Sequence, residues 1–123
     1  SYQKNKIKDN FGNEYSNYIT LYVDNWMINE DNLWNYLEFP LNGQYKRFKA
    51  TLGLTDSYKS TEDEVTFEIL LDDKSVYNKK MKAGDAPTKI DIDVSNAIKI
   101  TFKMTITGES ESQIGLFDAY FTK

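Results

Sequence analysis

The chain has 123 residues, of which 40% are hydrophobic, 28% charged and 15% aromatic, including 9 Tyr and 7 Phe; that length and mixture suit one packed core and argue against disorder. A net charge of -4, with Arg47 the only arginine, opposes binding to a phosphate backbone, so nucleic acid is not an expected partner. The absence of His and Cys removes the imidazole and thiolate groups of zinc sites and of Ser-His and Cys-His nucleophile systems, and no run approaches the ~20 apolar residues of a membrane-inserted helix.

Tyr18 to Val23 reads as a strand. Asn29 to Phe39 fits either a short helix, with Asn29 as N-cap and Leu33, Trp34 and Leu37 on one side, or an irregular strand favoured by the aromatic density of Trp34, Tyr36 and Phe39; Pro40 stops either one. From residue 46 the period is two. Phe48, Ala50, Leu52 and Leu54 alternate with Arg47, Lys49, Thr51 and Gly53, predicting a strand over 46–54 with one face buried. A polar loop, Thr55 to Glu64, separates it from Val65, Phe67, Ile69 and Leu71, which repeat the pattern. Asp72-Asp73-Lys74-Ser75 supplies residues that tolerate left-handed backbone, and Val76, Tyr77 and Met81 continue as the returning arm of a tight hairpin. After a turn at Ala83-Gly84-Asp85-Ala86-Pro87, Ile90, Ile92 and Val94 form another alternating set, and Ile98, Ile100, Phe102, Met104 and Ile106 form the most regular one. The polar stretch Gly108 to Gln113 leads into Ile114 to Phe121, apolar on both faces and therefore expected to run through the middle of the domain. Six to nine short strands with frequent turns and no long amphipathic helix predict an all-β fold, an antiparallel β-sandwich formed by residues 1–123 as one domain.

Several of these segments, in this order, resemble one known family. They are Leu41-Asn42-Gly43-Gln44-Tyr45-Lys46-Arg47-Phe48-Lys49-Ala50-Thr51-Leu52-Gly53-Leu54, Leu71-Asp72-Asp73-Lys74-Ser75-Val76-Tyr77, Gly84-Asp85-Ala86-Pro87 followed by Ile90-Asp91-Ile92-Asp93-Val94-Ser95, and the closing Phe117-Asp118-Ala119. The order and spacing are similar to the NPCBM family of carbohydrate-binding modules, over about the last two-thirds of the chain. The resemblance implies a galactose-binding-like jelly-roll sandwich, a noncatalytic role, and a glycan or cell-surface polysaccharide as partner. It also implies other domains in the same parent chain and an extracellular or bacterial cell-surface location. The start at Ser1 without Met fits a piece of a longer chain. One departure stands out: sugar-binding members typically carry an acidic, histidine and tryptophan cluster just before the final Asp-Ala, where this chain reads Ser112-Gln113-Ile114-Gly115-Leu116-Phe117-Asp118-Ala119.

A sugar site needs a flat aromatic to lie against the apolar face of a pyranose and polar side chains to bond its hydroxyls. Trp26, Trp34 and Tyr58 are the candidate platforms. Packing in the core or at a sheet edge is the competing reading for each Trp, whereas Tyr58 lies in a polar loop. Asp56, Ser57, Glu62 and Asp63 beside it, and Glu109, Glu111 and Gln113 in the other long loop, could bond hydroxyls; the plainer reading is that both loops are only solvated. The expected ligand-binding set is Tyr58, Asp56, Glu111, Gln113 and Trp34. No cofactor is implied, although Asp56, Glu62, Asp63 and Glu64 supply oxygens that could hold a calcium ion without an EF-hand spacing. Paired carboxylates can hydrolyse glycosides, but among 19 Asp and Glu residues some pair is always close. A glycan-binding accessory module is the favoured reading. Its rival is a structural or protein-interaction sandwich that has lost the sugar site.

Overall fold

Alternation of buried and wet residues fixes the strands, and the computed structural model describes residues 5–23, 32–56, 64–107 and 111–123. In chain order the strands are β1 (Ile7–Lys8), β2 (Glu14–Tyr15), β3 (Tyr18–Val23), β4 (Asn32–Pro40), β5 (Arg47–Leu54), β6 (Val65–Leu71), β7 (Lys74–Met81), β8 (Thr88–Asp93), β9 (Lys99–Thr107) and β10 (Ser112–Thr122). They form two four-stranded sheets, ordered β3-β10-β5-β8 and β4-β9-β6-β7, with β1 and β2 as a separate small hairpin. Every pairing is antiparallel. The segment from Asn29 to Phe39 resolves in favour of strand where it is described, since β4 pairs along β9 from Asn32 to Pro40.

The inner faces make the core. Phe48, Leu52, Ile114 and Leu116 from the first sheet meet Phe67, Ile69, Phe102, Met104 and Ile106 from the second, all of them fully buried. Phe102 is central, with ring centroids 5.1 Å from Phe48 across the sandwich and 6.2 Å from Phe67 beside it. The two-residue turn between β6 and β7 puts Asp72 and Asp73 at φ 49° and 68°, the left-handed pair that matches the twist of a tight hairpin. Ile98 departs from the sequence expectation: it precedes β9, is 59% exposed, and donates its N–H to the Asp72 carboxylate. Its carbonyl accepts from Leu41 and Asn42, so backbone bonding, not side-chain burial, holds it.

β10 lies between β3 and β5 and is buried on both faces from Ile114 to Phe117, which agrees with the expectation of a segment through the middle of the domain. Its outward side is covered by the N-terminal hairpin, where Tyr15 stacks on Phe117 at 4.2 Å. Near its end two residues, Asp118 and Ala119, stand opposite one on β5, because Phe117 pairs with Thr51 and Tyr120 with Lys49. This bulge shifts the alternation by one residue, turning Tyr120 outward and Phe121 inward, where its ring sits 4.9 Å from Phe48.

Candidate functional site

Strand direction decides which loops meet. β5 and β9 run toward the same end of the sandwich that β6 and β10 leave, so the two polar loops named from the sequence share that end; β3 also finishes there and β4 starts there. The roots of this end are tied together. Thr55, buried, donates its N–H to the Gln113 carbonyl at 3.1 Å and its hydroxyl to Gln113 Oε1 at 3.0 Å. One strand over, Tyr22 is paired in register with Gln113, and its hydroxyl donates to the Glu111 carboxylate. The Asn35 amide reaches from β4 to the Tyr22 carbonyl at 3.1 Å, joining the second sheet to the cluster. Asp56 follows Thr55 directly at the head of its loop.

The N-terminal hairpin buttresses this end. Asp9 is fully buried and accepts from the N–H groups of Phe11 and Asn13, from the Asn13 amide and from the Tyr15 hydroxyl, at 2.8 to 3.0 Å. Burial alone would raise the Asp9 pKa, but hydrogen bonds from Asn13, Tyr15 and Phe11 outweigh it and hold the carboxyl below its ordinary value. Tyr15 moves the other way: burial, then its bond to Asp9 and the charges of Asp9 and Asp118, push its pKa up to about 12. Asn10 stitches the hairpin to the sandwich by donating to the carbonyls of Leu54 and Thr55 and accepting from Gly84 N–H.

The expected residues thus divide. Asp56, just past the end of β5, Glu111, just before β10, and Gln113, on β10, stand at one end. Trp34 faces outward from the other sheet, 40% exposed, with its ring 5.7 Å from that of Tyr36 and Lys103 Nζ 5.5 Å from its centroid. Tyr58, Ser57, Glu62, Asp63, Glu109 and Trp26 lie outside the described residues. Of the oxygens considered for calcium, Glu64 pairs with Lys80 at 3.8 Å, and among the described residues no three acidic side chains gather to hold an ion. Sequence reasoning missed Tyr22, Thr55 and Asn10. Tyr22 had a signal, its outward place in the alternation of Tyr18 to Val23; the other two are brought in by contacts across more than forty residues. With hydroxyl, amide and carboxylate groups and no imidazole or thiol in the sequence, this end is equipped to hydrogen-bond a hydroxyl-rich ligand.

The architecture is that of the galactose-binding-like β-sandwiches found in carbohydrate-binding modules. One CBM51 module of Clostridium perfringens ZmpB, solved in complex with GlcNAc, superposes with a TM-score of 0.68 over 94% of this chain and 24% of that one, at 12% identity. The CBM51 of Clostridium perfringens GH95, solved with methyl-galactose, gives 0.64 over 95% of this chain and 79% of that one, at 18% identity. Residues 35–119 match the NPCBM/NEW2 domain, and the chain belongs to that family of carbohydrate-binding modules. Comparison with curated proteins finds no match.

Proposed function

We propose that this domain is a noncatalytic carbohydrate-binding accessory module of a larger bacterial secreted or surface protein, holding a glycan weakly at the loop end and so keeping its parent chain on its target. The observation that carries this reading is the tied root of that end, where Tyr22 with Glu111 and Thr55 with Gln113 gather polar groups on and just beyond the ends of strands β3, β5 and β10. Membership of the NPCBM/NEW2 family and the likeness to modules solved with GlcNAc and methyl-galactose support the ligand class. Tyr58 supplies the stacking surface in this proposal, and Asp56, Glu111 and Gln113 the hydroxyl partners.

A glycan-array screen followed by titration calorimetry tests it. Tyr58→Ala and Glu111→Gln should each weaken a hit by about 1 kcal/mol or more, roughly fivefold to tenfold. The protein-interaction reading takes its place if no glycan binds at millimolar concentration. One observation favours that second reading: in the stretch before Asp118-Ala119, the outward ring of Phe117 is fully covered by Tyr15, which leaves it no face for a sugar.

A further inference from the structure

We propose that the outer face of the first sheet carries a second sugar site, distinct from the loop end, for a neutral hexopyranose with a free vicinal diol. Here the bulge in β10 and the outward residues of β5 and β8 enclose a shallow groove of about 360 Å³, walled by Lys49, Thr51, Lys89, Asp91, Asp118 and Tyr120. That volume falls in the lower part of the roughly 300 to 1,000 Å³ range of small-molecule sites. The groove's near row, at Thr51, is four residues from Thr55, about 13 Å at the usual strand rise, and its far row, at Lys49, is six residues away, about 20 Å, which separates it from the loop end.

The bulge builds the site. Asp118 is held at φ 53° by its N–H bond to the Asn17 carbonyl at 2.8 Å, and the shifted alternation leaves Tyr120 outward and 51% exposed. Without the extra residue Tyr120 would point into the core and Ala119 would face the groove. A ring is thereby set on the rim with one face open to the C–H surface of a pyranose.

Charge in the groove is sorted into used and unused groups. Asp91 is taken, with Arg47 Nε at 2.6 Å and Lys49 Nζ at 4.0 Å. Among the described residues neither Lys89 nor Asp118 has an ion-pair partner, and both are exposed. They offer one donor-only and one acceptor-only group on opposite sides of the groove, since Lys89, on β8, pairs in register with Thr51 on β5, while Asp118 projects from β10 on the other side of β5. Each sugar hydroxyl both donates and accepts, so a vicinal pair satisfies the two at once: one hydroxyl gives its proton to Asp118, its neighbour takes a proton from Lys89. Thr51, between them, adds a hydroxyl of either sense. The walls carry two lysines, Lys49 and Lys89, against two aspartates, Asp91 and Asp118, and a groove without net charge suits a neutral sugar.

The test is amide-resolved NMR titration of the whole chain with the methyl glycosides of galactose, glucose, mannose and N-acetylglucosamine at tens of millimolar. The expected result is a saturable shift of the amides of Lys49, Thr51, Lys89 and Tyr120 with at least one probe, weakened about tenfold by Tyr120→Ala and by Lys89→Ala, both at exposed positions. Signal dispersion in the same spectra verifies that each variant is folded. Absence of any saturable shift at these amides with all four probes overturns the proposal, as does a shift left unchanged by both variants. The amides of Glu111 to Gln113 report the loop end separately, so a response confined to them would sink this site and leave the loop-end reading standing.

Discussion

The rings of Tyr15 and Phe117 lie 4.2 Å apart and within 12° of parallel, which locks the N-terminal hairpin onto the central strand of the first sheet. Phe117 in turn lies over Gly115, where a methyl group would come within 2.3 Å of the ring, and beside Gly53, where it would come within 3.4 Å. Only the first of these is an impossible approach. Gly115→Ala should therefore lift Phe117 and unseat Tyr15, costing about 1 to 3 kcal/mol in denaturant unfolding, the usual range for overpacking. Gly53→Ala should cost clearly less. Equal losses in the two variants would mean that the stack does not depend on the close approach at Gly115.

Asp9 is expected to set the acid limb of stability. Its folded pKa is depressed below the ordinary 3.8, so its contribution is present above that value and is lost as pH falls through the lower folded value. Asp9→Asn should weaken the fold at neutral pH by roughly 1 to 3 kcal/mol, because an amide cannot accept from all four donors, and should flatten the decline below pH 3.8. Tyr15 governs the alkaline side. Its folded pKa is raised to about 12 from an ordinary 10.0, so stability is whole below pH 10.0 and falls as pH rises toward 12. Tyr15→Phe should lose less stability across that window; chemical unfolding at stepped pH measures both limbs.

Phe102→Ala tests the centre of the sandwich. The side chain is fully buried and its ring approaches those of Phe39, Phe48 and Phe67, at 5.1 to 6.2 Å between centroids. Loss of burial together with the cavity left behind should cost about 3 to 5 kcal/mol. A measured cost below about 1 kcal/mol would mean that the two sheets do not close over this position.

What could be read from the sequence follows from where the information is local. The strands β5, β6, β8 and β9 announce themselves because one face is buried and the other wet, and β10 because both faces are covered. The left-handed turn at Asp72-Asp73 was legible from residue type alone. The β1–β2 hairpin was not, since strands of two residues carry no period; the donors to Asp9 lie within six residues of it, but its bridge to Thr55 belongs to tertiary structure. Asn29 to Phe39 stayed ambiguous because Leu33 and Leu37 fit a helical spacing as well as a strand face. At the candidate site, the sharing of one end by two polar loops depends on strand direction, which their composition does not encode. Trp34 stood beside Trp26 and Tyr58 as a candidate platform, with packing in the core or at a sheet edge as the competing reading; its place on the second sheet's outer face comes from topology.

Opposite the loop end, Asp72 joins the β6–β7 turn to the start of β9. Its carboxylate accepts the N–H of Ile98 at 3.1 Å and of Lys99 at 3.0 Å, and its own N–H donates to the Lys99 carbonyl at 3.2 Å. Asp72→Ala removes a charged acceptor from two backbone donors and places a less tolerant residue at φ 49°. Because those donors are exposed, water replaces part of what is lost, and the expected cost is about 1 to 2 kcal/mol in thermal or denaturant unfolding. Asp72→Asn retains one acceptor and tolerates the left-handed backbone, so it should recover about half of that. Neither variant reaches the opposite end of the sandwich. Titration of any glycan that the loop end binds should therefore give the same affinity as the unsubstituted chain at a temperature where both are folded. A parallel loss of affinity in Asp72→Ala and Asp72→Asn would show that the two ends are coupled through β6 and β9, and the rigid-scaffold view of the loop end would have to be given up.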